Sequence, residues 1–275
     1  MAIYELALFF IIYSILGWCA EVVFHTLTCG DFSNRGFLNG PVCPIYGAGM
    51  VLIIICLEPL MDESWIVVFI GSFLLTTILE LLTGLALDKL FHQRWWDYSG
   101  EPFSIGGYIC LRFSLCWGFA GLFIMYFVHP PIAHFVRWLP QWLGWTLIIV
   151  IGVLYIIDAA ATVRAMLSLN TRIRSLEETA ARLRELSDDV GERLHEKAFD
   201  LAEKAREFKE RPQVKENLEK KAAEYERLKK RYEELIKDRP RTQTRLLRVF
   251  PKARSSRYSE GLERLKKSLT EKRKK

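Results

Sequence analysis

Charge is scarce in the first 164 residues of this 275-residue chain, which hold six Lys or Arg and eleven Asp or Glu. The scarcity ends near Leu167. Residues 165–275 hold 32 Lys or Arg against 21 Asp or Glu, so an apolar body precedes a charged tail. Paired cysteines are missing too. Cys19, Cys29, Cys43, Cys56, Cys110 and Cys116 all fall in the apolar part, and none forms a CxxC pair. That pattern argues against a disulfide framework and for small apolar side chains in a reducing or lipid setting. His25, Cys29 and Cys43 match no zinc spacing, so neither a metal nor a cofactor is expected. No HExxH occurs and no nucleophile–base pair is assignable, so an enzyme is not expected. The amino terminus has no basic leader, and Glu5 and Glu21 flank its apolar stretch. The first apolar stretch is therefore expected to stay in the mature protein.

Long apolar runs are what the chain does have. A membrane span needs about 20 mainly apolar residues. Five windows qualify: 6–27, 41–60, 65–87, 107–128 and 142–162. Tyr4, Trp65, Tyr108, Trp142 and Trp145 gather at their ends, as expected at headgroup level. These windows predict an all-α polytopic membrane bundle over residues 1–164. Basic residues orient it. With the tail on the cytoplasmic side of the inner membrane, residue 1 lies outside, and the loops holding Arg35 and Lys89/Arg94 lie inside with the tail. Arg137 opposes the rule. Prolines interrupt 129–140, which reads as a short interfacial piece on the outer side.

The tail divides further. Leu169, Ile173, Leu176, Ala180 and Leu183 recur at coiled-coil spacing, and Val190, Leu194, Ala198, Leu201, Ala205 and Phe208 continue less regularly. Arg211-Pro212 breaks the run. A second run, Leu218, Ala222, Tyr225, Leu228, Tyr232 and Leu235, ends at Asp238-Arg239-Pro240. Residues 165–238 thus read as a helical, coiled-coil-like segment, either a hairpin or a route to a homodimer. That segment is neutral, with 18 charges of each sign. Residues 239–275 hold 14 basic against 3 acidic residues and read as a basic, partly disordered tail. Beside a bilayer its expected partner is anionic lipid rather than nucleic acid.

Two polar runs punctuate the apolar body. One is Asn34-Arg35-Gly36-Phe37-Leu38-Asn39-Gly40-Pro41-Val42-Cys43-Pro44-Ile45-Tyr46-Gly47, and the other is Arg94-Trp95-Trp96-Asp97-Tyr98. Four ionisable residues lie inside the windows: Glu21, Glu80, Arg112 and Asp158. Such residues are costly there and mark function or pairing. At about 1.5 Å per residue, Glu21, Glu80 and Asp158 each lie about 22–24 Å from the outer end of a core about 30 Å thick. Counted from Gly107 in the opposite direction, Arg112 reaches a similar depth, about 8 Å from the inner face. Each sits on a polar helical stripe, such as Ser14, Trp18, Glu21 and His25, or Thr76, Glu80, Thr83 and Asp88. The expectation is one inner-facing polar cluster of Glu21, Glu80, Arg112 and Asp158, closed by Arg35, Asn39, Arg94 and Asp97 from the two loops. Opposite helix directions and matching depth also predict that Glu80 faces Arg112.

These residues carry a resemblance. Gly17-Trp18 with Glu21, Arg35 through Pro41, Pro44 through Gly47, Glu80 with Thr83-Gly84, Arg94 through Tyr98, and Gly107 through Arg112 resemble the ABC-transporter type IV (CmpB-like) membrane proteins of bacteria. The resemblance covers roughly residues 6–160 and extends weakly to Phe250-Pro251 and Ser256-Arg257-Tyr258. It implies a multi-pass inner-membrane permease and brings no settled substrate. The chain has no GxxxxGK[ST] loop, so an ATPase would be a separate chain. The resulting expectation is a permease-like subunit for a small solute or ion. The alternatives are a membrane scaffold anchoring a cytoplasmic coiled coil and, third, a membrane enzyme using Glu21, Glu80 or His25 as acid and base.

Overall fold

The computed structural model describes residues 2–30, 32–199, 212–251, 253–255 and 257–274, with side chains described for all of these except Cys29, 189–199, 212–218 and 270–274. The chain is nearly all helical and forms two compact units. The first holds Met1–Leu167 together with Arg245–Ser256, and the second holds Ser168–Thr244 with Arg257–Lys275. The expected basic tail is therefore divided between them.

In the first unit, α1 (Ile3–Cys29) opens with the Ala2 N–H donating to the Glu5 carboxylate at 3.1 Å. α2 (Pro44–Leu57) starts on Pro44, whose missing N–H costs nothing in a first turn, and ends in a short 3₁₀ turn, Glu58–Leu60. α3 (Trp65–Phe91) is capped by Ser64, whose hydroxyl accepts from the Ile66 N–H. A β-hairpin follows, β2 (Ser104–Ile105) pairing with β3 (Ile109–Cys110), after the two-residue strand β1 (Gln93–Arg94). α4 (Leu111–Phe123) runs through a π-helical stretch, Ile124–Val128, into α5 (His129–Trp138). α6 (Gln141–Phe199) completes the apolar elements.

By length and composition, four helical stretches can cross a membrane: Ile3–Thr28, Trp65–Phe91, Leu111–Trp138 and Gln141–Asp188. The second expected window forms the shorter apolar helix Pro44–Leu60. The prolines after Val128 do not set off a separate interfacial piece. Pro130 and Pro131 occupy the first turn of α5, where no intrahelical donor is needed, and His129, Ala133 and Val136 are buried. Their partners are Leu8, Phe9 and Tyr13 of α1, Met50, Ile53 and Leu57 of α2, Val68 of α3 and Met125. Outside this core, Phe24, Ile70, Leu74, Ile78, Phe119, Phe123, Val150, Leu154 and Ile157 are exposed. An apolar outer face of that kind suits hydrocarbon.

In lipid, apolar burial alone does not draw helices together, and close backbone approach does. Gly47 provides it. A Cβ there would collide with Ser14 Oγ and the Phe10 carbonyl, so α1 and α2 lie antiparallel in near contact. Gly121 does the same against Ser72 across α4 and α3, with a Cβ falling 2.6 Å from the serine.

The second unit contains the later part of α6, α7 (Pro212–Lys237) and α9 (Ser259–Lys274). Leu169, Ile173, Leu176 and Ala180 are buried, as their spacing predicts. α9 contributes to covering them, with Leu262 and Leu265 buried and Gly261 donating to Glu177 at 2.9 Å. Arg172 donates to the carbonyls of Leu235 and Asp238, and Arg239 donates to the Leu265 carbonyl at 3.0 Å. The continuation expected at Val190, Leu194, Ala198, Leu201, Ala205 and Phe208, with Arg211, lies outside the residues or side chains described. Residues 239–275, expected as partly disordered, hold α8 (Arg241–Val249), β4 (Arg254–Ser255) and α9. Basic composition hid the buried apolar positions that order them: Leu246, Leu247, Val249, Ala253, Leu262 and Leu265.

Candidate functional site: an acid layer under two loops

Three acids rise from three helices of the first unit, and each meets a group from one of the two polar runs. Glu21 of α1 accepts from the Tyr46 hydroxyl at 2.5 Å and lies 3.7 Å from Arg35 Nε. Asp158 of α6 accepts on Oδ1 from the Asn39 backbone (3.2 Å) and side chain (2.9 Å), and on Oδ2 from the Gly40 N–H at 2.7 Å. Asn39 Nδ2 also reaches Thr162 Oγ1 at 3.1 Å. Glu80 of α3 is 8% exposed and accepts on Oε1 from the Tyr98 hydroxyl at 3.1 Å. Tyr98 is itself stacked on Phe113, with ring centroids 4.8 Å apart.

Local chemistry shapes both loops. In the first, Asn34 Oδ1 accepts from Trp18 Nε1 (2.7 Å) and the Gly36 N–H (3.0 Å), while its Nδ2 donates to the Asn39 carbonyl. One amide thereby folds residues 34–39 back on α1. In the second, Arg94 donates to Asp88 Oδ2 at 2.9 Å and to the Gly106 carbonyl at 3.0 Å, and its guanidinium lies 4.5 Å above the Tyr108 ring. Tyr108 donates to the same Asp88 oxygen at 2.6 Å. The Asp88 hydrogen bond pushes the Arg94 pKa above its ordinary value, and burial followed by Asp88 raises that of Tyr108. Asp97 accepts from the Ser99 hydroxyl and N–H, and Arg254 Nη1 lies 2.9 Å from its other oxygen. The Ser99 bonds, with Arg254 helping, hold that carboxyl below the usual range.

A strap from the far end of the sequence ties the loops together. Arg245 donates to the carbonyls of Gly36 (2.7 Å), Phe37 (3.0 Å) and Asn34 (3.4 Å). Arg35 donates to the Val249 carbonyl at 2.9 Å. Phe250 packs edge-on against Trp95 with centroids 4.8 Å apart, and Phe37 meets Trp95 from the first loop. β4 then pairs antiparallel with β1, Arg254 opposite Arg94.

Of the eight expected site residues, Glu21 meets Arg35 and Asp158 meets Asn39, whereas Glu80 meets Tyr98, Arg94 meets Asp88, and Asp97 meets Ser99 and Arg254. The eighth is Arg112. Its side chain is 72% exposed and lies 3.7 Å from Glu101, so it does not pair with Glu80. The depth argument failed because it counted Gly107 as helical. Gly106 and Gly107 have φ of 60° and 77°, which turn the β2–β3 hairpin, and α4 begins only at Leu111. Arg112 thus stands in the first helical turn. The sequence argument also passed over Tyr46 and Tyr98, whose hydroxyls cap two of the acids. Both lie in the polar runs, so their position was a usable signal. Nothing local marks Arg245, more than 200 residues from the carbonyls it holds.

One hollow, lined by Gly84, Leu87, Arg94, Trp95, Trp96 and Tyr108, has about 160 Å³ of atom-free space. Small-molecule sites usually span about 300–1,000 Å³. Among the described residues no group of three His, Cys, Asp or Glu is placed to hold a metal ion.

A family model described as "Putative ABC-transporter type IV" matches residues 8–163, which contain both loops and all three acids. No curated protein and no solved structure matches the chain. The family match covers more than half of the sequence, and the chain belongs to the Putative ABC-transporter type IV family.

Proposed function

We propose that this chain is the membrane-embedded, permease-like subunit of a transport system, and that the acid layer with its two loops is an inward-facing gate drawn closed. The observation that carries this reading is that Glu21, Glu80 and Asp158, on three separate apolar helices, each accept from the two polar runs: from Tyr46 at the start of α2, and from the loop residues Asn39, Gly40 and Tyr98. A bundle that only needed to hold together would not require three acids beneath removable covers. The transported species is a small solute or ion that meets these carboxylates when the loops withdraw. ATP hydrolysis comes from another chain, because this sequence carries no phosphate-binding loop. The family match and the apolar helices support the membrane setting. In this reading the Arg35 and Arg94 loops face the cytoplasm, residue 1 lies outside, and exposed basic residues of the carboxy-terminal region meet anionic lipid.

The test is purification of the tagged chain from its native membrane, followed by ATPase assay. A nucleotide-hydrolysing chain is expected to co-purify, and its activity should drop in the Glu21→Gln, Glu80→Gln, Asp158→Asn triple variant. The scaffold reading draws on a different observation, that each of the three acids already has a donor from the chain itself. It would win if no ATPase accompanied the wild type and the triple variant kept its cellular role while deletion of the region after Leu167 abolished it.

A further inference from the structure

Glu80 differs from the other two acids in what surrounds it. Glu21 has Arg35 beside it, and Asp158 takes three N–H donors. Glu80 is more deeply buried than either, yet its contact is one neutral phenol on Oε1. Its Oε2 is buried with no hydrogen-bond partner among the described residues.

Of the cations on and beside α3, Lys89 is exposed at its last turn, and Arg94, Arg112 and Arg35 bond other acids. On α3 itself, Asp88 takes Arg94 and Tyr108. On α4, Arg112 pairs with Glu101. On the side of α1 and α2, Glu21 holds Tyr46 and Arg35. Cys110 of β3 and Glu21 lie within electrostatic reach of Tyr98 and bring no positive charge to it. Burial above all pushes the Tyr98 phenol well above its ordinary pKa, so the phenol keeps its hydrogen and donates it. An ionised carboxylate without a cation in such a setting is costly, and a neutral acid removes most of that cost.

We infer that Glu80 is a proton-binding site, carrying a proton on Oε2 while Tyr98 covers it and releasing that proton when the second loop withdraws and admits water. The step is a simple acid dissociation. The O–H bond of the carboxylic acid breaks, its electron pair stays on Oε2, and water takes the proton. Tyr98 is a positioning residue, because its hydroxyl bonds Oε1 and keeps water off the acid. The inference requires the bundle to lie in a bilayer and does not require that a solute crosses it.

Infrared spectroscopy of the full chain in lipid nanodiscs at neutral pH tests this. Exposed carboxyl groups are ionised under those conditions and absorb with the carboxylates. A protonated-acid C=O band is expected in the wild type and absent from Glu80→Gln. Tyr98→Phe removes the hydrogen bond to the acid oxygen. Its band should shift to higher frequency where Glu80 stays covered, or vanish where water enters and the proton leaves. If Glu80→Gln fails to fold, the Tyr98→Phe comparison decides. The same acid band in wild type and a folded Glu80→Gln, no acid band in wild type, or an unmoved band in Tyr98→Phe would overturn the assignment.

Discussion

At the scale of single residues, the acids divide by what they accept. Asp158 is the acceptor for three donors of the first loop, two from the backbone and one from the Asn39 amide. Asp158→Ala removes the acceptor of one part-buried bond, from Gly40, and of two exposed bonds from Asn39. A hydrogen bond to a charged group contributes about 1.5–3 kcal/mol. A drop in thermal stability of that order in detergent is expected, with faster amide exchange at Asn39 and Gly40. Arg112→Ala is the contrast. Its ion pair is exposed, and exposed pairs contribute about 0–1 kcal/mol. It should leave the melting temperature nearly unchanged. Equal losses from both substitutions would mean that Asp158 does not hold the loop. Arg112 also shows where reading residues by depth broke down. Its spacing from Gly107 was correct, but the two positive-φ glycines put the helix start after it. For Glu21, Glu80 and Asp158 no such turn intervenes, because each lies well inside its helix.

At the scale of elements, the strap from Arg245 to Ser255 is the part most open to test. Arg245 satisfies three carbonyls with one planar guanidinium, which the single point charge of a lysine cannot reproduce. Burial lowers the Arg245 pKa, and nearby Asp158 partly offsets that. Arg245→Ala should raise hydrogen exchange across residues 34–40 several-fold, and Arg245→Lys should recover only part of the protection. Unchanged exchange in the alanine variant would show that the strap merely lies against the loop. The other clamp, Arg254 on Asp97, has a pH dependence of known sign. A carboxyl whose folded pKa is depressed contributes stability above its unfolded value, about 3.9, and loses it as pH falls through the folded value. Protection of β1 against β4 should therefore persist from neutral pH to about pH 5 and fade only in stronger acid. Loss between pH 7 and pH 6 would point to a group other than Asp97.

At the scale of the whole molecule, the second unit explains what its coiled-coil spacing is for. The α6 seam of Leu169, Ile173, Leu176 and Ala180 is buried within the chain, where α9 brings Gly261 against Ile173. Residues 168–237 made alone leave that seam partly uncovered and should self-associate. Residues 168–275 should sediment as monomers. Monomers from both, or dimers from both, would separate the seam from the role of α9. What the sequence by itself determined was whatever depends on local order along the chain: the apolar runs, the low charge before Leu167, the four-three spacing, and the placing of three acids inside apolar helices. A helix converts position into height at a fixed rise, so these features needed no knowledge of neighbours. The tertiary structure alone decided which groups meet the acids, because Tyr46, Tyr98, Asn39 and Arg245 reach their partners through turns and long chain separations that set no periodic pattern. It also decided where the helices of the basic carboxy-terminal stretch bury their apolar side chains. A few apolar residues, Leu246, Leu247 and Val249 among them, outweigh the surrounding charge once a surface exists to bury them, and no composition count registers that surface.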